Sequence, residues 1–200
     1  MAENNLKQVK RTKMGATNPR YAKVAKREAG KIPVYDGTVT QFSELVAVTE
    51  ALDYAEASFY SNNRKSESNR SFKGCTLTYD NKGLPQAVVA DIYGAEFNDE
   101  DELEYGSADA APRIGFTFFR ELEDEGTRYY EGVFYPDCKA SIGNATDNTR
   151  GENITYNGET TTLDAYALDD LKGRWKIEKI FATAAEADAW CVAKLTPAGT

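Results

Sequence analysis

The clearest alternation of apolar and polar residues runs over residues 113–122. One side of that segment carries Ile114, Phe116, Phe118 and Leu122. Residues 128–136 continue the extended pattern after Asp124-Glu125-Gly126, a sequence typical of a hairpin turn. Because successive side chains of a strand point to opposite faces, the pattern predicts an antiparallel hairpin with one face in the core.

Shorter apolar and β-branched runs predict the other strands. They cover residues 20–26, 38–51, 73–79 and 152–156, with a final hairpin of residues 160–168 and 174–181 around Lys172-Gly173. Residues 52–72 are polar, with an aromatic pair at Phe59 and Tyr60. We expect this segment to be a long excursion between two strands.

Two segments have helical patterns. Residues 84–93 place Leu84, Val88 and Ile92 on one face, with Pro85 early and Gly94 at the end. Near the C-terminus, Thr183 and Glu186 have the spacing of a capping box. The helix that follows from Ala184 should present to the body Ala187, Trp190, Cys191 and Leu195. About eight strands and two short helices predict a mainly β fold, an antiparallel β-sandwich or barrel.

The composition suits one soluble globular domain. The chain has 200 residues, 41% of them hydrophobic and 28% charged. No apolar run approaches the roughly 18 to 20 residues that a membrane helix needs, and the N-terminus lacks the apolar core of a signal peptide. Cys75, Cys138 and Cys191 are far apart, which favours free thiols.

The chain contains no histidine. This excludes Ser-His-Asp and Cys-His catalysis and every histidine-containing zinc site. Carboxylate chemistry stays open, but 32 acidic residues make some pair inevitable, so no pair stands out. We predict no enzyme activity, no catalytic residue, no metal site and no cofactor.

Charge is unevenly distributed. Residues 1–31 contain nine basic and two acidic residues, a net charge of +7, whereas the whole chain carries −8 and the remainder therefore −15. Residues 1–19 are polar and aperiodic, so we expect a flexible basic arm before a single domain at 20–195 and a short tail at 196–200. The predicted arm contacts are Lys7, Lys10, Arg11 and Lys13. An acidic surface on a neighbouring copy is the expected partner, and a nucleic acid is the alternative.

An acidic loop follows the first predicted helix. Its carboxylates are Glu96, Asp99, Glu100, Asp101, Glu102 and Glu104. The loop has neither the alternate spacing nor the glycine of an EF-hand, so it does not predict a calcium site. A solvated loop is the simpler interpretation, and a negative surface facing DNA or a basic partner is the other.

The order of these segments resembles the major tail proteins, or tail tube proteins, of long, non-contractile-tailed bacteriophages. The resemblance rests on the order of Tyr21-Ala22-Lys23-Val24, the strand at 45–51, Phe59-Tyr60-Ser61-Asn62-Asn63, Gly74-Cys75-Thr76-Leu77, the helix at 84–93, Ile114-Gly115-Phe116, Tyr130-Glu131-Gly132 and the terminal hairpin and helix. It covers residues 20–195. In the family pattern the excursion often carries Leu-Tyr and an acidic pair, whereas this chain has Phe59-Tyr60 followed by Ser61, Asn62 and Asn63.

The resemblance implies a non-enzymatic β-sandwich subunit of the virion tail. Such subunits form hexameric rings, assembled in the cytoplasm of the bacterial host, that stack into a tube. DNA passes through the tube without specific binding, and other partners are the tape-measure, tail-tip and tail-terminator proteins; no membrane is involved. The family's ring-stacking loop corresponds to residues 54–69. Its candidate contact residues are Tyr54, Phe59, Tyr60, Asn62, Asn63, Arg64 and Lys65.

Two other functions remain open at this point. Twelve tyrosines could supply the stacking platform of a carbohydrate-binding β-sandwich on a virion or cell surface. A tube subunit of a contractile tail or secretion system would share the ring but need an outer sheath.

Overall fold

The computed structural model describes residues 6–61, 64–141, 159–169 and 172–197, with the backbone alone for residues 57–61 and 64–69. The described residues are mainly β, with antiparallel sheets and two α-helices, as predicted. A short 3-10 helix at Leu6–Gln8 precedes the first strand. The strands are β1 (Thr12–Lys26), β2 (Val34–Tyr35), β3 (Thr40–Gln41), β4 (Leu45–Ser61), β5 (Arg64–Asn81), β6 (Glu96–Phe97), β7 (Leu103–Glu104), β8 (Arg113–Asp124), β9 (Thr127–Ser141), β10 (Glu159–Ala165) and β11 (Ile177–Phe181). The helices are α1 (Gln86–Tyr93) and α2 (Ala184–Leu195).

Nine strands form one sheet, in which the order is β2-β1-β8-β9-β10-β5-β4. β3 adds to β1 and β11 adds to β9, while β6 and β7 form a separate pair. β9 is the central strand: β8 follows one of its edges, and the other edge is shared by β11 at residues 130–134 and β10 at residues 138–141. No pairing within the described ranges closes the sheet.

The predicted β8–β9 hairpin is confirmed, and its apolar face is core. Ile114, Phe116, Phe118 and Leu122 are all buried. Phe42 lies at the centre of that core, with ring centroids 4.7 Å from Tyr79 and 5.5 Å from Phe116. α1 adds Val88 and Ile92 to the same cluster and ends at Gly94, whose positive φ of 77° explains why a glycine stops the helix there.

α2 covers the opposite face of the sheet. The capping box is present: the Glu186 backbone N–H donates to Thr183, and the Thr183 backbone N–H donates to the Glu186 carboxylate. Ala187, Cys191 and Leu195 are buried as predicted, and the predicted contact residue Trp190 is partly buried against Phe181. A Cβ built on Gly132 would lie 2.6 Å from the Trp190 ring, so this close approach requires a glycine.

Three predictions about local structure are wrong. β1 begins at Thr12 rather than at residue 20, because the polar residues 12–17 pair with residues 119–123 of β8; that part of the expected flexible arm is a strand. In place of the excursion at residues 52–72, residues 52–61 and 64–72 extend β4 and β5 as an antiparallel pair. β10 and β11 do not form a hairpin with each other, since both pair with β9. The predicted strand at 152–156 lies outside the described residues.

Candidate functional site

The candidate ring-stacking segment is a two-stranded ribbon rather than a loop. β10 pairs with β5 only as far as Ala165 opposite Cys75. Beyond Asp53 and Gly74, β4 and β5 pair only with each other within the described chain, out to Ser61 opposite Arg64. At about 3.4 Å per residue this ribbon extends the sheet by roughly 27 Å. We call residues 53–61 and 64–74 the ribbon.

Aromatic contacts hold the base of the ribbon. The Phe72 ring stacks on Trp175, with centroids 5.0 Å apart and an interplanar angle of 22°. Tyr54 meets Phe72 edge-on at 6.0 Å. The Arg70 guanidinium lies 4.8 Å from the centroid of the Tyr54 ring, and its Nε is 2.7 Å from Glu56 Oε1. The base of the ribbon therefore has side-chain contacts to the connection between β10 and β11, in addition to its backbone pairing.

The candidate stacking residues fall on different parts of this ribbon. Tyr54 lies at its base and is 37% exposed. Phe59 and Tyr60 lie in β4, and Arg64 and Lys65 lie in β5, all near the tip and with only their backbones described. Asn62 and Asn63, between the strands, lie outside the described residues.

Arg11 of the basic arm belongs to an ion network within its own chain. Its Nη2 lies 2.7 Å from Glu131 Oε1 and 2.8 Å from Glu178 Oε2. Arg120 approaches the same two carboxylates at 3.3 Å. The Glu131 side chain is only 2% exposed, so these cations compensate a buried negative charge. The hydrogen bond to Glu131 raises the pKa of Arg11.

Lys176 extends the network to the strand that forms the ribbon. Its Nζ lies 3.3 Å from Glu178 Oε1 and 2.7 Å from Glu50 Oε2 on β4. Glu50 Oε2 also accepts a hydrogen bond of 2.6 Å from the Tyr135 hydroxyl. Burial acts to raise the pKa of Glu50, but these two donors outweigh it and lower the pKa. We call Arg11, Glu50, Arg120, Glu131, Lys176 and Glu178 the ion network.

The other arm residues are more exposed. Lys10 is paired with Glu125, at 2.7 Å, in the β8–β9 turn. Lys13 lies opposite Leu122 in β1, and the nearby Arg120 charge lowers its pKa. Lys7 is exposed in the 3-10 helix. In the single chain, Lys10 and Arg11 therefore already have acidic partners.

The acidic loop is organised around Asn98. The Asn98 side-chain carbonyl accepts hydrogen bonds from the backbone N–H groups of Glu100 and Glu102. Its amide donates to the Glu102 and Glu104 carboxylates at 2.8 and 2.9 Å. The loop links β6, which contains Glu96, to β7, and Asp99 and Asp101 are exposed at its turn. These contacts account for the loop as a solvated turn.

Sequence reasoning missed a buried carboxylate at Asp137. This side chain is fully buried, and Arg113 Nη1 lies 2.8 Å from both of its oxygens. Arg27 approaches it at 3.1 Å. Asp137 follows Pro136 in β9, between the segments that pair with β11 and with β10. The cluster thus holds β9 where its partner strand changes.

Three further observations bear on chemistry. Within the described ranges, no group of three or more metal-ligating side chains is found. None of the described helices has the length and apolarity needed to cross a membrane. Burial raises the pKa of the Cys191 thiol to about 12 and that of Cys75 to about 11, which makes both weak nucleophiles at neutral pH.

A groove of about 450 Å³ lies beside the end of β9. Its lining includes Tyr93, Tyr105, Asp109, Lys139 and Asp164. Asp109 accepts a hydrogen bond from the Gly106 backbone N–H, and Asp164 accepts one from Thr76. Both carboxylates therefore already have partners within the chain.

Comparison with known proteins adds no assignment: neither the models of protein families nor the curated proteins contain a match to this chain.

Proposed function

We propose that this protein is a non-enzymatic structural subunit that polymerises with copies of itself, as stacked hexameric rings, into the tail tube of a long, non-contractile-tailed bacteriophage. The observation that carries the proposal is the ribbon. Two strands that leave the sheet and pair only with each other bury little of their own surface, so their stable position needs a second surface. A neighbouring copy in the next ring supplies that surface.

The edges of the sheet support assembly within a ring. β4 is the terminal strand at one end of the sheet, and its outer edge has no partner strand in the described chain. Val46 and Leu52 on this strand are 69% and 43% exposed. At the other end, residues 12–17 of β1 pair with β8 along one edge, and no described strand pairs with their other edge. Open edges promote aggregation unless they are covered, and ring closure covers them.

The proposal includes the arrangement of the sheet as a two-layered β-sandwich. The change of partner along β9, from β11 to β10, divides the sheet into two parts that share β8 and β9. We propose that these parts are the two layers of a tail-tube β-sandwich, with the core around Phe42 between them. The net charge of −15 after residue 31 suits a conduit that must not retain DNA, because neutralising phosphates strengthens binding.

A shortened ribbon tests the proposal. Ala55 and Ser71 are paired, so replacing residues 56–70 with Asn-Gly should close a two-residue hairpin while keeping Tyr54, Phe72 and Trp175 in place. We expect a folded monomer, with thermal unfolding close to that of the wild type, that makes no tubes. Sedimentation velocity over a range of protein concentrations measures the assembly.

Assembly of the shortened protein into tubes of normal length would contradict the proposal. A wild-type protein that stays monomeric and changes its tyrosine or tryptophan fluorescence on adding saccharides would favour the carbohydrate-binding alternative. An assembled tube that binds a sheath protein would favour the contractile-tail alternative.

A further inference from the structure

We propose that Trp175 is a positioning residue for assembly: it holds the base of the ribbon in one direction relative to the sheet, so that the ribbon is ordered before it meets a second copy. This inference rests on the proposed function, since it assigns the ribbon a partner in the next ring. Trp175 lies in the connection between β10 and β11 and belongs to neither strand.

The first argument is that Trp175 joins the ribbon to the core. One of its ring contacts is the stack on Phe72 at 5.0 Å. Another is Tyr135, whose ring centroid lies 6.3 Å away and whose side chain is buried. Phe72 also contacts Tyr54, the first ribbon residue of β4 after Asp53. The row Tyr54, Phe72, Trp175, Tyr135 therefore links both ribbon strands to the centre of the domain.

The second argument is that the backbone at this point does not fix the direction by itself. The register of β4 with β5 shifts between Asp53 and Tyr54, which is a bulge or irregularity, and the opposite residue is Gly74. A bulge bends and twists a strand, and a glycine has no side chain to pack there. β10 ends its pairing next to this position, at Ala165. Side-chain contacts must then restrain the ribbon.

The third argument concerns the neighbouring residue. Lys176 forms ion pairs with Glu50 and Glu178, so the backbone next to Trp175 is anchored both to β4 and to β11. An anchored Trp175 can restrain Phe72, whereas a mobile one could not. Restraining the ribbon in advance reduces the ordering cost of association, which favours stacking.

Hydrogen exchange of the monomer tests the positioning directly. In Trp175→Ala we expect the amides of residues 54–61 and 64–72 to lose protection by about tenfold, the scale of one or two aromatic contacts. Amides of β8 and β9 should exchange as in the wild type. Trp175→Phe keeps a ring for stacking and should restore most of the protection.

Assembly supplies the second readout. The protein concentration at which tubes form should rise about tenfold in Trp175→Ala and stay near the wild-type value in Trp175→Phe. Trp190→Ala is the matched control, because Trp190 lies on α2, where it packs against Phe181 and not against the ribbon. Trp190→Ala should lower the unfolding temperature more than Trp175→Ala does. At a temperature where the variant is still folded, it should not raise the protein concentration at which tubes form.

Unchanged ribbon protection in Trp175→Ala would overturn this inference, whatever the protein assembles into. Loss of protection throughout the domain would also overturn it, because Trp175 would then be a general stability residue. A third outcome separates the two proposals. If Trp175→Ala loses protection only in the ribbon but the wild-type chain never assembles, the proposed function is contradicted, and the role of Trp175 in holding the ribbon remains.

Discussion

Beneath α2 the sheet is packed so closely that two glycines have no room for a side chain. In the ribbon, by contrast, the two strands beyond Asp53 and Gly74 pair only with each other among the residues that the structure describes. A Cβ on Gly115 would lie 2.5 Å from the Tyr35 ring and 2.8 Å from Leu195. On the ribbon side, Leu52 and Tyr54 remain partly exposed. The side chains beneath α2 are packed against their own chain, whereas side chains at the base of the ribbon keep part of their surface exposed. Under the proposed function, the first region stabilises the subunit and the second is the one that contacts a neighbouring copy.

The largest effect on folding should come from Gly115→Ala. The added methyl group overlaps Tyr35 and Leu195, and we expect a loss of about 3 kcal/mol in the free energy of unfolding, measured by urea denaturation. Gly15→Ala is the matched control: Gly15 is also in a paired strand, but nothing lies within 4 Å of its added Cβ. Equal effects of the two substitutions would contradict the packing contrast.

A smaller loss should follow Glu131→Gln in the ion network. The buried Arg120 and the more exposed Arg11 would lose a charged partner, at a cost of about 2 kcal/mol in the free energy of unfolding. Lys10→Ala removes an exposed ion pair and should leave the urea midpoint unchanged. Equal destabilisation by Lys10→Ala and Glu131→Gln would contradict the claim that the buried ion network, and not the exposed Lys10 pair, stabilises this part of the fold.

Glu50→Gln should cost about 1 kcal/mol near neutral pH, because the lowered pKa of Glu50 means that the folded state favours its carboxylate. This stabilisation is present above the ordinary pKa of 4.5 and is lost as the pH falls through the lowered pKa of the folded protein. Urea midpoints of wild type and variant should therefore differ at about pH 7 and converge once the pH is below the lowered pKa of Glu50 in the folded protein. A difference that grows in acid would contradict the assignment.

The smallest effect is expected in the acidic loop. Glu100→Gln combined with Asp101→Asn should change the free energy of unfolding by no more than about 0.5 kcal/mol, because both side chains are exposed. Asn98→Ala should cost more, since Asn98 holds the turn through four hydrogen bonds. Comparing the thermal unfolding of the double variant with that of Asn98→Ala distinguishes the contribution of the loop charges from that of the Asn98 hydrogen bonds.

Local signals in the sequence predicted the local parts of the fold. The alternation at Ile114, Phe116 and Phe118 and the pair Thr183 and Glu186 depend on near neighbours, and both predictions are confirmed. The pairing of β10 and β11 with β9 depends on residues far apart in the chain, which periodicity does not encode. Residues 12–17 form a strand although they have no apolar alternation, because β8 offers them a partner edge.

The candidate site was likewise predictable only in part from the sequence. Sequence composition located the polar segment at residues 52–72 and the basic arm, but not their geometry. The ribbon needs the register of β4 on β5, and the partners of Arg11 come from β9 and β11. Glu131 and Glu178 stood among 32 acidic residues, with no local signal to select them. Their burial and convergence became visible only in the folded chain.

Negative-stain electron microscopy of the purified wild-type protein, at increasing concentration and across a range of salt, tests the central claim most directly. The account predicts rings or tubes with a central channel. Particles that remain single small subunits under every condition, in a protein shown to be folded by hydrogen exchange, would contradict it.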